Sequence, residues 1–476
     1  MQSLLTLSAT RLADMIRNQD VSSKDVIEAH ILRIKRVNKK INAMVQSRFD
    51  EARKEAELAD QIIKKSDKQN LPKFLGVPCS IKESFCLTGM PNTGGLLKRK
   101  KCIARQDATA VARIRASGAI PLGVTNVSEI CLWMESYNPL YGKTNNAYQT
   151  HRTSGGSSGG EAALIASGGA PFGLGSDIGG SIRMPAFFNG IFGHKPTAGL
   201  IPNSGHYPKE EESVSGISTT GPLCRHAEDL MPLLRILAGP DNIDPGCHAI
   251  PLHSPESVQI KNLTVYNPKI KPLLHVSSDL FAIQNQCIGV LKSRGATIRS
   301  VPHIQNWKII NMWTAKLRTV SKTPFSEILG DGYAIQPLPE LCKWIIRKPA
   351  HTLPALLTSI FDKLPYSLKH MNAIVNKIDK LRKSLISMLG TSGIMLFPSH
   401  PTTAPRHYMP LLTPCSWGYT GLFNILGFPV TQVPLGLDNN GLPTGIQIAS
   451  IPGNDHVTIA VAQELEKIYG VTFPKI

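Results

Sequence analysis

The sequence predicts an α/β fold in which a β-sheet lies between layers of α-helices, and three neighbouring segments carry that prediction. Leu75–Phe85 alternates apolar and polar residues, which is typical of a strand in a protein core. Asp107–Ser117 has helical spacing, and Ala119–Thr125 is a second short apolar strand. Because strands that alternate with helices build a layered core, we expect helices on both faces of one sheet.

The elements before and after these segments extend the same pattern. Ser22 and Asp25 have the spacing of a capping box, which predicts a helix start. The apolar residues that follow share one face of that helix: Ile27, Ile31, Ile34 and Ile41. From Met395 to Ile448, strands and glycine turns return, and we expect them to close the same sheet. With no internal repeat and no long linker, residues 1–476 are predicted to form a single domain.

Residues 250–390 differ from the rest and are predicted to be a helical insertion or cap within that domain. They contain few glycines, several prolines and no cluster of catalytic residue types. The apolar residues of Leu353–Leu364 follow helical spacing, after a basic stretch with Lys343, Arg347 and Lys348. We favour an ordinary core-facing helix slightly over an amphipathic cap that contacts a membrane surface.

Composition indicates a globular protein without a metal centre or cofactor. Of 476 residues, 42% are hydrophobic and 18% are charged, which suits a chain with a large core. The nine cysteines are scattered singly, with no pair at metal-ligand spacing. An odd number of isolated cysteines favours reduced thiols and an intracellular setting over a disulfide framework.

The formal charge of +18 raises the question of a nucleic-acid partner. The excess is concentrated in short runs, chiefly Arg33–Lys40 and Lys98–Lys101, and neither a nucleic-acid motif nor interleaved aromatic residues accompany them. We therefore expect solvated basic faces and no nucleic-acid partner, with attraction to an anionic membrane surface as an alternative. No apolar run has the ~20 residues that span a bilayer. The N-terminal sequence also lacks the features of a signal peptide.

The most informative stretch is Gly155–Pro185, in which two serine-bearing glycine clusters are joined by small residues. A phosphate-binding loop is one interpretation, but the pattern GxxxxGK[ST] is absent. A second is the nucleophile elbow of α/β-hydrolases, with His400 or His456 as the base. That elbow follows an apolar strand, whereas residues 148–154 are polar.

The third interpretation makes Ser181 a nucleophile. Successive backbone N–H groups in the turn before it can converge on a developing oxyanion. A serine hydroxyl needs a base, and Lys82, on the polar face of the Leu75–Phe85 strand, can act as one if burial lowers its pKa. Ser157 could bridge the two. Taken alone, such a lysine is usually exposed, and Arg183 reads as a structural ion-pair partner, so the residues leave acyl transfer as a hypothesis.

A resemblance to a known family decides between these alternatives. Gly155–Ala186 resembles the signature of the amidase signature family, and Gly76–Glu83 resembles the GVPxxIKE strand that carries the family's lysine. The similarity extends over nearly the whole chain. It implies the family's fold, a large mixed β-sheet sandwiched between α-helices.

The resemblance also implies a Ser-Ser-Lys triad. Ser181 would be the acylated nucleophile, Ser157 the bridging serine, which follows a cis peptide in the family, and Lys82 the base and later the acid. Ser158 would be a nearby hydrogen-bond partner. The expected oxyanion hole consists of four backbone N–H groups: those of Ile178, Gly179, Gly180 and Ser181.

Within the family, the chain is most similar to the fatty-acid amide hydrolases, which convert fatty-acid amides and N-acylethanolamines to the free acid and an amine. The resemblance therefore implies a lipid amide substrate. Glu129–Met134 is similar to the segment beside the nucleophile, so Cys131 and Leu132 are expected to contact the acyl chain. The alternatives are a short-chain amidase, the glutaminase subunit of a tRNA amidotransferase, and a lipid-binding pseudoenzyme.

Members of this branch often begin with a hydrophobic membrane segment, whereas this chain starts essentially at its first core helix. The helix predicted over Leu353–Leu364 is then the candidate for peripheral membrane contact. Association into a homodimer is left open.

Overall fold

One large β-sheet runs through the protein. The computed structural model describes residues 3–209, 216–271, 276–345 and 349–476; Arg347 and Lys348 lie outside these ranges. Eleven strands form the sheet, in the order β1-β3-β2-β6-β8-β7-β12-β13-β11-β9-β10, and β4 and β5 form a separate small hairpin. The strands are β1 (Met44–Ser47), β2 (Pro78–Lys82), β3 (Ile120–Thr125), β4 (Tyr137–Asn138), β5 (Gly142–Lys143), β6 (Phe172–Asp177), β7 (Phe192–Lys195), β8 (Thr219–Cys224), β9 (Thr264–Lys271), β10 (Thr297–Gln305), β11 (Gly393–Phe397), β12 (Val430–Leu437) and β13 (Pro443–Ala449).

Helices flank this sheet, and the predicted α/β architecture is confirmed. The helices are α1 (Ala9–Asn18), α2 (Ser23–Ile41), α3 (Phe49–Lys65), α4 (Thr109–Ala116), α5 (Gly159–Ala166), α6 (Arg183–Asn189), α7 (Leu230–Leu237), α8 (Ser278–Ser293), α9 (Asn306–Val320), α10 (Phe325–Leu329), α11 (Pro337–Ile345), α12 (Leu353–Asp362), α13 (Leu368–Leu389), α14 (Gly418–Leu426) and α15 (Asp455–Tyr469). No described helix is both long and apolar enough to cross a membrane.

The sheet is mixed, and strand β2 lies in its parallel part. It pairs in parallel with β3 on one side and with β6 on the other, whereas β6 pairs with β8 in antiparallel orientation. All five residues of β2 are buried, including the polar ones. Since neighbouring strands cover both edges of β2 and other elements cover both faces, its last residue, Lys82, lies inside the protein.

The predicted first helix is confirmed as α2. Its N-cap is Ser22, whose Oγ accepts a hydrogen bond from the backbone N–H of Asp25, as the capping box requires. The four isoleucines of the predicted stripe are all buried. Lys39 and Lys40 lie in the last turn, where cations complement the helix dipole.

The segment 250–390 contains two strands as well as helices. β9 and β10 pair in parallel and extend the edge of the sheet, so the segment predicted to be a helical insertion also contributes strands. The helix predicted over Leu353–Leu364 is α12, which ends at Asp362. Strands β11, β12 and β13 close the same sheet, as predicted. The single-domain organisation stays a prediction.

Candidate active site

The amine of Lys82 lies at the centre of the site. Nζ lies 2.7 Å from Ser157 Oγ and 2.8 Å from Ser176 Oγ, within hydrogen-bond distance of both hydroxyls. The side chain is fully buried, and burial lowers the pKa of Lys82 because a charged amine loses its hydration there. This environment favours the neutral form, which is the form that can accept a proton.

Ser157 lies just before helix α5, in the first of the two glycine clusters. The Gly156–Ser157 peptide is cis, as the resemblance implies. A β-carbon at Gly156 would overlap the carbonyl oxygen of Trp133, so only glycine fits there. The carbonyl of Ser157 accepts a hydrogen bond from Ser136 Oγ at 3.0 Å, which fixes the turn.

Ser181 lies in the second glycine cluster, between β6 and α6, and is 9% exposed. Its carbonyl accepts a hydrogen bond from the backbone N–H of Ser158 at 3.1 Å, and this bond joins the two clusters. Among the described residues, the Ser158 hydroxyl donates one long hydrogen bond, of 3.4 Å, to the carbonyl of Ser176. Ser181 and Ser157 line the same cavity.

The turn before Ser181 presents free backbone donors. The carbonyl of Ile178 accepts from the indole of Trp313 at 2.8 Å, so the N–H of Gly179 points the opposite way across the trans peptide. Among the described residues, the N–H groups of Ile178, Gly179 and Ser181 have no hydrogen-bond partner. The N–H of Gly180 does have one, since it donates to the carboxylate of Asp177 at 2.7 Å. The resemblance implies four donors, and three of them are free here.

A buried ion pair holds this turn in place. Arg183 binds the carboxylate of Asp177 with two hydrogen bonds, of 2.9 and 3.0 Å, and neither side chain is exposed. Burial alone would raise the pKa of Asp177, but Arg183 holds the pKa of that carboxyl well below its usual range. The expected role of Arg183 as a structural ion-pair partner is confirmed. Its remaining donors reach α14 and β13, through the carbonyl of Thr420 and the side chains of Asn424 and Gln447.

A second buried carboxyl, that of Glu161 on α5, lies near the lysine. It accepts hydrogen bonds from Ser80 Oγ at 2.5 Å and Thr125 Oγ1 at 2.8 Å, which come from β2 and β3. Burial raises the pKa of Glu161 to about 7, because two neutral hydroxyls do not replace the lost hydration of a carboxylate.

Two cavities meet at Ser181. One, of about 580 Å³, has a largely apolar and aromatic wall, which includes Trp133, Met134, Met184, Trp313, Leu357, Phe361, Leu411, Pro414 and Trp417. The other, of about 640 Å³, contains Ser157 and Ser176 and has polar and charged side chains in its wall, such as Lys209, Ser321, Asp331 and Lys363. Both cavities are also lined by Cys131, Leu132 and Ile178.

The structure thus brings Lys82, Ser157 and Ser181 to one site. His400 and His456 make no described hydrogen bond to either serine; His400 packs against Phe188, and His456 against His253. Ser176 and His206 also contact the site but were not predicted from the sequence. Ser176 could have been found, because it immediately precedes Asp177 of the signature. Nothing in the sequence near His206 signals a role.

Comparisons with known proteins identify the family. The protein-family model for amidases matches residues 25–459, which is most of the chain. The chain belongs to the amidase family. Fatty-acid amide hydrolase 2 from Homo sapiens is 44% identical over 486 aligned positions, which cover 98% of this chain and 90% of the human protein.

More distant amidases match over similar lengths. A glutamyl-tRNA(Gln) amidotransferase subunit from Fusobacterium nucleatum is 26% identical, over 100% of this chain and 99% of the bacterial protein. A solved structure of a fatty acid amide hydrolase superposes with a TM-score of 0.82 at 22% identity, over 98% of this chain and 86% of that one, and supports the fold. The expected similarity to fatty-acid amide hydrolases is confirmed, and this amidase is an amide hydrolase.

The buried carboxyl of Glu161 predicts a pH dependence of stability. The folded protein holds the Glu161 proton up to about pH 7, whereas the unfolded chain loses it near pH 4.5. Between these values the folded state binds more protons, so this group makes folding less favourable as the pH rises. We expect Glu161→Gln to remove that loss, so that the variant gains about 3 kcal/mol relative to wild type between pH 4.5 and pH 7.

Urea unfolding of both proteins across this range measures the difference. Glu83→Gln is the companion variant, because burial also raises the pKa of Glu83 to about 7, and it should shift in the same direction. Stability curves that stay parallel for wild type and Glu161→Gln would contradict the assignment.

Proposed function

We propose that this amidase hydrolyses fatty-acid amides and N-acylethanolamines through an acyl-enzyme at Ser181. The observation that carries the proposal is the fully buried Lys82 amine, hydrogen-bonded to Ser157 in the wall of a cavity that Ser181 also lines. A buried lysine beside a serine is arranged to move protons rather than to carry a surface charge. The match to fatty-acid amide hydrolase 2 supports the same reaction.

The relay begins with the neutral Lys82 amine. The amine accepts the hydroxyl proton of Ser157, and Ser157 in turn accepts the hydroxyl proton of Ser181. Ser181 Oγ then attacks the amide carbon of the substrate. The N–H groups of Ile178, Gly179 and Ser181 bind the developing oxyanion. The proton on Lys82 then returns through Ser157 to the leaving nitrogen as the C–N bond breaks. A water molecule repeats the sequence on the acyl-enzyme and releases the acid.

The two cavities suggest where each half of the substrate binds. The apolar cavity has the walls that a long acyl chain prefers, and the second cavity offers polar groups to an amine product. Cys131 and Leu132 line both cavities, and we expect them to contact the acyl chain. A lipid amide thus fits the site better than glutamine, whose short polar side chain would leave the apolar cavity empty.

Contact with a membrane surface stays a prediction. Helix α12 buries Ala355 and Leu356, but Phe361 near its end is 62% exposed. Leu364 and Leu368, which follow, are also exposed. Exposed apolar residues next to a lipid-binding cavity are what a peripheral contact requires. Homodimer formation likewise stays a prediction.

Ser181→Ala should abolish the hydrolysis of oleamide and the labelling of the protein by a fluorophosphonate probe, because no oxygen remains to form the acyl bond. Product release and in-gel labelling measure the two effects. Ser167→Ala is the matched control: this buried serine at the end of α5 donates only to backbone carbonyls of that helix. Retained turnover in Ser181→Ala would overturn the mechanism, and turnover of glutamine instead of oleamide by the wild type would favour the amidotransferase alternative.

Lys82→Ala should lower kcat/KM by about 10²–10⁴-fold at pH 7 and by less at high pH, because hydroxide then replaces part of the lost base. The pH profile of kcat/KM from pH 6 to pH 10 measures this. Lys82→Arg tests whether position 82 must accept a proton or only supply a positive charge. Because a guanidinium stays protonated, this variant should be inactive as well. An equal loss at all pH values would contradict the role of Lys82 as a base.

Leu357→Trp should lower kcat/KM for oleamide by about tenfold or more and leave propionamide unchanged, because the larger ring fills the apolar cavity and not the reacting centre. Comparison of the two substrates with each variant measures the effect. Leu58→Trp, at an exposed position on α3, is the control and should change neither. Equal losses on both substrates would place the acyl chain elsewhere.

A further inference from the structure

His206 is a buried histidine that contacts the lysine network from a distant part of the chain. Its Nε2 lies 2.9 Å from Ser176 Oγ and 3.0 Å from Ser84 Oγ. The ring stands edge-on to Phe85 at a centroid distance of 4.8 Å, and the backbone of His206 forms a β-bridge with that of Phe85. These contacts hold the imidazole rigidly, since only 8% of the residue is exposed.

The contacts of the ring favour one position for its hydrogen. Nδ1 lies 3.4 Å from the carbonyl oxygen of Pro208, which can only accept a hydrogen bond, whereas Nε2 faces the hydroxyls of Ser84 and Ser176, which can donate; these contacts favour the hydrogen on Nδ1. Burial, together with the nearby Lys82, lowers the pKa of His206 to about 3, and the ring is therefore neutral at physiological pH. In a neutral ring with the hydrogen on Nδ1, Nε2 is an acceptor.

We propose that His206 is a positioning residue of the proton relay: its Nε2 accepts the hydroxyl proton of Ser176 and thereby directs the lone pairs of Ser176 toward Lys82. The inference rests on the proposed function. Ser176 Oγ lies between the two groups, 2.8 Å from Lys82 Nζ and 2.9 Å from His206 Nε2. A hydroxyl has one proton, so if it donates to His206 it must accept from Lys82.

This orientation determines which way the lysine amine faces. A neutral amine has two hydrogens and one lone pair, and one hydrogen is directed at Ser176. The lone pair is then available for the hydroxyl proton of Ser157, 2.7 Å away, which is the proton that the relay must move. Without His206, Ser176 can turn its own proton onto that lone pair and compete with Ser157.

His206→Leu removes the acceptor and keeps an apolar side chain of similar bulk. We expect kcat for oleamide and the rate constant of fluorophosphonate labelling to fall by about 10- to 100-fold, as for other small losses of catalytic alignment. The KM should change little, because the acyl chain is bound elsewhere. His206→Gln places a carbonyl oxygen near the position of Nε2 and should restore most of both rates.

A double-mutant cycle tests whether the effect passes through Ser176. If it does, Ser176→Ala with His206→Leu is no slower than Ser176→Ala alone, because the mediator is already absent. His30→Leu is the control: it removes another buried histidine, which contacts the carbonyl of Gly168 and lies outside the site, and should leave both rates unchanged. Thermal unfolding of each variant shows whether it is folded, and His206→Met replaces His206→Leu if the latter is not.

Three results would each overturn the role of His206. The first is a wild-type rate in folded His206→Leu or His206→Met, the second is no rescue of the rates by His206→Gln, and the third is additive losses in the double-mutant cycle. These outcomes are distinct from a failure of the proposed function. If Ser181→Ala loses labelling while His206→Leu keeps it, only the role of His206 is rejected. If Ser181→Ala still hydrolyses oleamide, the acyl-enzyme itself is rejected.

Discussion

The site depends on one constraint, which is that the Lys82 amine must be kept away from water and still be hydrogen-bonded. An exposed lysine is charged at neutral pH and cannot accept a proton. Strand β2 meets the first half of the constraint, since it has a strand along each edge and ends inside the protein. The serines at positions 157 and 176 meet the second half with two short hydrogen bonds. A buried amine without such partners would be costly, so the strand and the serines serve a single purpose.

The turn that carries Ser181 is built by a different interaction. Free N–H groups are useful for catalysis but leave a turn with few bonds of its own, so its shape must be imposed from outside. The Asp177–Arg183 pair does this by binding the two ends of the turn and joining them to α14 and β13. At Gly180, which has a φ of +125°, a β-carbon would overlap Thr420, so this position also requires glycine.

Local patterns in the sequence predicted much of the fold. The start of α2 follows from its capping box, and β2 and β3 from their alternation and apolar character. The order of strands in the sheet cannot be read in this way, because it depends on contacts between distant segments. For that reason the alternation of β2 predicted a polar face around Lys82 but could not show that this face is buried as deeply as the other. Strands β9 and β10 were missed because residues 250–390 contain few glycines and were interpreted as helical, although a turn at Gly295 precedes β10.

The same limit applies to the site. The residues in the glycine clusters share a motif, so a resemblance could identify them, whereas His206 lies 122 positions from Ser84 and has no motif. The cavities at Ser181 have a further consequence. Eight residues line both cavities, but the remainder of each wall comes from different side chains, so mutations in those parts can change one wall and leave the other intact. Preference for the acid part and for the amine part of a substrate can therefore diverge independently during evolution, with the chemistry at the junction unchanged.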